Sequence, residues 1–112
     1  MNEHRRAPRK SAYVTIPVAN AMSGESMGRI GNLSSSGMLL VCNRQIADNA
    51  LFQLAFELVD SNGRPHLIEV GVLEQWCEAA NLPGQFWTGF QFIDVSANDL
   101  VVIDSWLGES TD

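Results

Sequence analysis

No stretch of the sequence approaches the roughly 18–20 consecutive apolar residues that cross a bilayer as a helix, so no membrane-inserted helix is expected. The basic N-terminus is not followed by the apolar core of a secretory leader, and it is too short for a transit peptide. Cysteine is scarce: Cys42 and Cys77 stand far apart inside apolar segments. With only His4 and His66 as further soft ligands, and no Cys-x-x-Cys or His-x-x-x-His spacing, no metal site is expected. The two thiols read as free and buried, as in a cytoplasmic protein. There is no internal repeat. The acids are scattered, and there is no nucleophile elbow, phosphate-binding glycine loop or Cys/His pair at a recognisable spacing. The expectation is a protein that is not an enzyme, with no catalytic residues and no cofactor. Basic residues are also few: seven Lys and Arg against 13 Asp and Glu, for a net charge of −6. Taken whole, that charge argues against a nucleic-acid or anion binder.

What is present is one globular domain. The 112 residues are 46% hydrophobic and 18% charged, an ordinary composition for a single folded unit. The charge is unevenly placed. Arg5, Arg6, Arg9 and Lys10 lie in the first ten positions with one acid, Glu3, so that segment carries +3. The remaining 102 residues hold Arg29, Arg44 and Arg64 against twelve acids, for −9. A short basic arm on an acidic body points to a specific anionic partner or to a solubilising terminus.

From Tyr13 onward the pattern is one of short strands. Tyr13 to Asn20 alternates, with Val14, Ile16 and Val18 on one side. Ser26 to Ser34 and Met38 to Cys42 follow, separated by Ser35-Ser36-Gly37. Ala50 to Val59 fits a strand, although Leu51, Leu54, Ala55 and Leu58 also fit a helical period. The strand reading is favoured because Asn62-Gly63 is a strong hairpin signal, with His66 to Ala80 as the returning strand. Gln85 to Val95 is aromatic-rich and strand-like. Ser96 then reads as a helix N-cap with Asp99 at N3, and Leu100, Ile103, Trp106 and Leu107 recur at helical spacing. Gly108 is placed to follow the helix end. Many short strands plus one terminal helix argue a small antiparallel barrel, whose closure removes exposed edges. Residues 1–11 read as a flexible basic arm and 12–112 as one barrel domain, with the helix at about 97–107.

Two constellations carry chemistry. In the first, Arg5 and Arg9 are separated by three residues, and Pro8 pushes Ala7 toward an extended conformation. Extended, the pair spans up to roughly 13–14 Å with both side chains on one side. Guanidinium forks onto phosphate oxygens and guanine edges and stacks on flat rings. In the second, Asn32 and Ser34 stand two apart on a strand, pointing the same way while Leu33 points oppositely. Gly37 would supply the positive φ of a tight turn. Ile30 shares that strand face on strict alternation.

In this order, Arg5-x-x-x-Arg9 and Asn32-x-Ser34-x-x-Gly37 resemble the two motifs of the PilZ domain family, and the resemblance covers nearly the whole chain. It implies a six-stranded antiparallel β-barrel with a C-terminal α-helix, acting as a bacterial, non-catalytic receptor or adaptor for cyclic di-GMP. By resemblance, Arg5 and Arg9 engage phosphates and guanine edges, Asn32 and Ser34 hold a further base edge or phosphate, and Gly37 shapes the turn. Arg6 and Lys10 are secondary ligand-binding candidates that add charge attraction more than geometry. The arm would be mobile without ligand and fold over it on binding. Trp76 is a candidate for stacking on a guanine or, alternatively, a barrel-wall or core residue. Glu74, two before it, departs from the apolar residue common in the family, so either the strand bulges there or the register differs. His4 stands where many members have another arginine, a position that influences ligand stoichiometry. A receptor of this kind passes its signal on to a protein effector by contact. The alternatives are a small-barrel binder of single-stranded nucleic acid, or a PilZ-like interaction module without ligand. The −9 body disfavours a long polyanion.

Overall fold

The computed structural model describes residues 10–12 and 14–109. The expectations for His4, Arg5, Arg6, Arg9 and Tyr13 lie outside the described residues. Seven strands and one helix follow in order: β1 (Lys10–Ser11), β2 (Pro17–Asn20), β3 (Ser26–Leu33), β4 (Gly37–Cys42), β5 (Leu51–Val59), β6 (Pro65–Ala79), β7 (Phe86–Val95) and α1 (Ala97–Gly108). Six of them, in the order β3-β2-β5-β6-β7-β4, form an antiparallel sheet that β3–β4 pairing closes into a barrel. β1 is an additional strand on β3.

Of the first strand expected, Tyr13 to Asn20, only Pro17–Asn20 is strand among the described residues, and a separate short strand precedes it. Lys10 and Ser11, read from sequence as arm, pair with Leu33 and Asn32, and Pro17 resumes pairing against Arg29. Both segments run along one edge of β3, and the chain between them departs from the ladder. Val14 is 71% exposed, so it leaves the buried side that Ile16 and Val18 occupy. The β5 segment follows the strand period: Leu54, Phe56 and Leu58 are buried, whereas Leu51 is exposed, which rules out the helical alternative. These residues join Val18, Met27, Ile30, Leu33, Leu40, Ile68, Val70 and Val72 in the barrel core. A fully buried aliphatic side chain contributes about 1.5–3 kcal/mol relative to exposure.

Of the four register shifts in the barrel, two change the alternation at candidate site residues. On β3, Ile30 pairs with Leu40 and Asn32 with Leu39, so Gly31 is the extra residue. Ile30 and Leu33 therefore both point inward, and Ile30 does not share a face with Asn32 as strict alternation implied. On β6, Glu74 pairs with Phe90 and Trp76 with Gly89, which leaves Gln75 as the extra residue. This is the bulge that Glu74 suggested. The Glu74 side chain turns inward and is buried, its Oε1 accepting the Asn49 N–H at 2.8 Å.

The helix begins at the cap read from sequence, with Ser96 Oγ accepting the Asp99 N–H at 3.1 Å. Asp99 Oδ2 accepts the Glu69 N–H at 3.1 Å and ties the helix to β6. Ile103 is fully buried, and Trp106 and Leu107 pack against the core. Gly108 is the last helical residue rather than the first beyond it, and Glu109 caps the end in an extended conformation. Cys42 is buried and Cys77 half-buried, and both are free. Burial pushes the Cys42 thiol up from its ordinary value.

The β5–β6 hairpin is longer than an Asn-Gly two-residue turn. The Asp60 carbonyl accepts the Gly63 N–H at 2.9 Å, with Gly63 at φ 82°. Asp60 Oδ1 accepts the N–H groups of Asn62 (2.8 Å) and Arg64 (2.9 Å), and Oδ2 lies 2.9 Å from His66 Nε2. The His66 hydrogen bond first, and then those backbone N–H groups, hold the Asp60 carboxyl down to about 2 from an ordinary 3.8. The native state thus holds this proton less tightly than the unfolded chain. The turn's contribution is complete above pH 3.8 and is lost as the pH falls through about 2. In acid titrations of the thermal midpoint over that window, Asp60→Asn should show a shallower fall than the wild type. Equal slopes would mean that the carboxylate does not support the turn.

Candidate functional site

The barrel wall formed by β3, β4, β7 and β6 carries an open groove of about 700 Å³. Its size lies within the range of sites for small organic ligands. The registers define its floor. Asn32 pairs with Leu39, Leu39 with Gly89, and Gly89 with Trp76, so one row crosses four strands. At about 4.8 Å per strand, Asn32 and Trp76 stand some 14 Å apart at its two ends. In the neighbouring row, Gly37 pairs with Gln91, which lies on the groove side of β7 while the flanking Phe90 is buried.

Each glycine of the floor is required by a close approach. A Cβ on Gly37 would collide with the Phe90 carbonyl oxygen of β7. The sequence reading expected a positive φ at Gly37, but the positive-φ glycines are Gly24, Gly28, Gly63 and Gly84. Gly37 is therefore needed so that β4 can lie tightly on β7. A Cβ on Gly89 would strike the Trp76 indole, lying 2.8 Å from its Cε2. The absent side chain lets the ring lie over the β7 backbone. Trp76 is 46% exposed and lines the groove, so it belongs to the barrel wall and not to the core.

The β3–β4 turn assigns different tasks to the residues of the second motif. Asn32 and Gly37 line the groove. Ser34 does not; it is 1% exposed, and its hydroxyl is engaged within the turn. Its Oγ accepts the N–H groups of Ser36 and Gly37, both at 3.2 Å, and donates to the Gly37 carbonyl at 3.2 Å. Ser34 holds Ser35, Ser36 and Gly37 in place, and Ser35 and Ser36 then line the groove. Strict alternation placed Ser34 beside Asn32, but the chain has already left β3 at Leu33. Lys10 also lies apart from the groove lining, with its ammonium at the far end of α1. Sequence reasoning missed Gln75, Gln91, Ser35 and Ser36. For Gln91 the signal available was its place two residues after Gly89 on one strand.

None of the described lining residues carries a formal charge. The groove offers an indole face, two glutamine amides, an asparagine amide and serine hydroxyls. This combination suits a flat heterocycle with donors and acceptors on its edge. Among the described residues no group of three His, Cys, Asp or Glu side chains gathers to hold a metal ion, and no helix is long and apolar enough to cross a membrane.

A family model described as the PilZ domain matches residues 3–109. The chain belongs to the PilZ domain family. This is a family of cyclic di-GMP receptors and adaptors. No curated protein sequence matches the chain. Among solved structures, the Bacillus subtilis inhibitor of motility (MotI/DgrA) is similar with a TM-score of 0.77 at 12% identity, over 95% of this chain. This PilZ domain spans 50% of the length of that protein. The PilZ domain of YcgR from Escherichia coli, solved with c-di-GMP, is similar with a TM-score of 0.65 at 13% identity, over 95% of this chain and 90% of that one. At these identities the likeness is one of fold.

The glycine and serine assignments make distinct predictions. Gly37→Ala should lower stability by about 1–3 kcal/mol in urea denaturation, because backbone rather than a flexible side chain must move. Ser34→Ala should cost about 1–3 kcal/mol by stranding the Ser36 and Gly37 N–H groups. Wild-type stability in both variants would remove the structural role argued for this turn.

Proposed function

We propose that this PilZ domain is a non-catalytic bacterial cyclic di-GMP receptor working in the cytoplasm, and that it passes ligand occupancy to a protein effector by contact. The observation that carries the reading is the Trp76 indole, lying over Gly89 and facing a neutral groove that Asn32 and Gly37 of the second motif line. A guanine stacked on the indole would present its edge to the amides and hydroxyls around it. Base–aromatic stacking of this kind contributes about 1–3 kcal/mol.

The division of charge supports the same reading. A groove without cationic side chains cannot neutralise two phosphates by itself. Arg5 and Arg9 are assigned to phosphates and guanine Hoogsteen edges, where a bidentate guanidinium discriminates by about 1–3 kcal/mol. Arg6 adds attraction, and His4 flanks the pair on the side that bears on stoichiometry. Asn32 holds a base edge or phosphate from the barrel. Ser34 acts through the turn it holds. The acidic body, −9 over residues 11–112, repels a long polyanion far more than a compact dianion held by the arm.

Calorimetric titration of the whole chain with cyclic di-GMP tests this, with single-stranded oligonucleotides as the comparison. Micromolar or tighter binding of cyclic di-GMP is expected, with about tenfold or greater weakening in Arg9→Ala and in Trp76→Ala. No heat at tens-of-micromolar protein would defeat the proposal. Tight oligonucleotide binding with a steep salt slope would favour the nucleic-acid reading instead.

A further inference from the structure

Lys10 is the chain's one lysine, and in sequence it reads as part of the arm's positive charge. The structure commits its ammonium elsewhere. Nζ donates to the Trp106 carbonyl at 2.7 Å, reaches the Glu109 carbonyl at 3.4 Å, and sits 4.2 Å from the centroid of the Trp106 ring. Carbonyls in the last turn of a helix lack intrahelical donors, and that end of the helix carries partial negative charge. The last turn of α1 holds no basic residue of its own. The Glu109 N–H already reaches the Ser105 and Trp106 carbonyls, and a cation 96 residues upstream adds a charged donor at the same end.

The same residue stands at the root of the arm. Lys10 pairs with Leu33, and the adjoining Ser11 pairs with Asn32, which lines the groove. Arg9 is its covalent neighbour on the other side. A two-residue ladder is a weak anchor, well short of the usual strand length. The Lys10 contact adds a second anchor on a different element.

We infer that Lys10 is a positioning residue: it clasps the C-terminal end of α1, fixes the root of the arginine arm beside the groove, and so couples ligand occupancy to the order of the last helical turn. This rests on the cyclic di-GMP reading above. Without the clasp, β1 is held against Leu33 and Asn32 by its two-residue ladder alone, and the binding-competent arrangement of that edge is a smaller fraction, so affinity falls. By linkage, a ligand that holds Asn32 and β1 in that arrangement must in turn tighten the Trp106–Glu109 end of α1.

The test compares the full-length wild type, Lys10→Met and Lys10→Arg by calorimetric titration with cyclic di-GMP, and by amide hydrogen exchange at residues 106–109 with and without it. Lys10→Met should bind about fivefold or more weakly, and Lys10→Arg should recover most of the loss. The ligand should slow exchange at the end of α1 in the wild type and in Lys10→Arg but not in Lys10→Met. That second readout separates coupling from simple loss of one positive charge. Arg64→Met, which removes a charge at the β5–β6 hairpin, should leave the ligand-induced protection unchanged. Wild-type affinity in Lys10→Met, or equal protection of α1 in Lys10→Met and wild type, overturns the inference while leaving the ligand reading standing. Absence of binding by the wild type overturns the ligand reading and the coupling with it.

Discussion

The close approach of β4 to β7 is the constraint on which the site depends. β4 pairs with β3 on one side and β7 on the other, and so closes the barrel. Its first residue, Gly37, meets the Phe90 carbonyl where a side chain would have to fit. That approach sets Gly37 opposite Gln91 and Leu39 opposite Gly89, and the second pairing continues to Trp76. The groove floor is thus a product of barrel closure. Ser34 serves the same constraint from the turn side, because its hydroxyl fixes how the chain enters β4. A motif that reads as a set of ligand contacts is, in part, a set of closure requirements.

Charge is divided between the parts of the molecule in a way that net charge conceals. The barrel is acidic, the groove lining is neutral, and the positive charge lies chiefly in the first ten residues. A neutral groove with an indole wall discriminates by shape and edge hydrogen bonding, whereas point charges attract any anion. On the proposed reading, cationic groups in a separate stretch of sequence let base and phosphate recognition combine only when both meet the same ligand. Lys10 stands where those two parts join, and its contacts with α1 extend that junction to the helix end.

Features that depend on local chemistry were legible in the sequence. The Ser96 cap, the strand period of β5 and the turn after Val59 all follow from residues within a few positions of one another. The two motifs were legible by resemblance, and the fold with them. Features that depend on a distant partner were not legible. A period of two carries no mark of the extra residue at Gly31, so Ile30 was assigned to the wrong face. The reason for Gly37 lies in a carbonyl on β7, more than 50 positions away, and Gly37 was read instead as a turn glycine. The partner of Lys10 is 96 positions away, and its charge alone suggested a ligand contact. The bulge at Gln75 left one trace, a glutamate where an apolar residue was expected.

The central claim is that one wall of the barrel is the ligand site. Amide chemical-shift mapping by NMR during addition of cyclic di-GMP tests it most directly. The account predicts saturable shifts at Asn32, at Ser35 to Leu39, at Gln75 and Trp76, and at Gly89 to Gln91, with quiet amides at the separate depression around Gln53, Gly71 and Asp94. Shifts concentrated at that second depression, or none at saturating ligand, would contradict it.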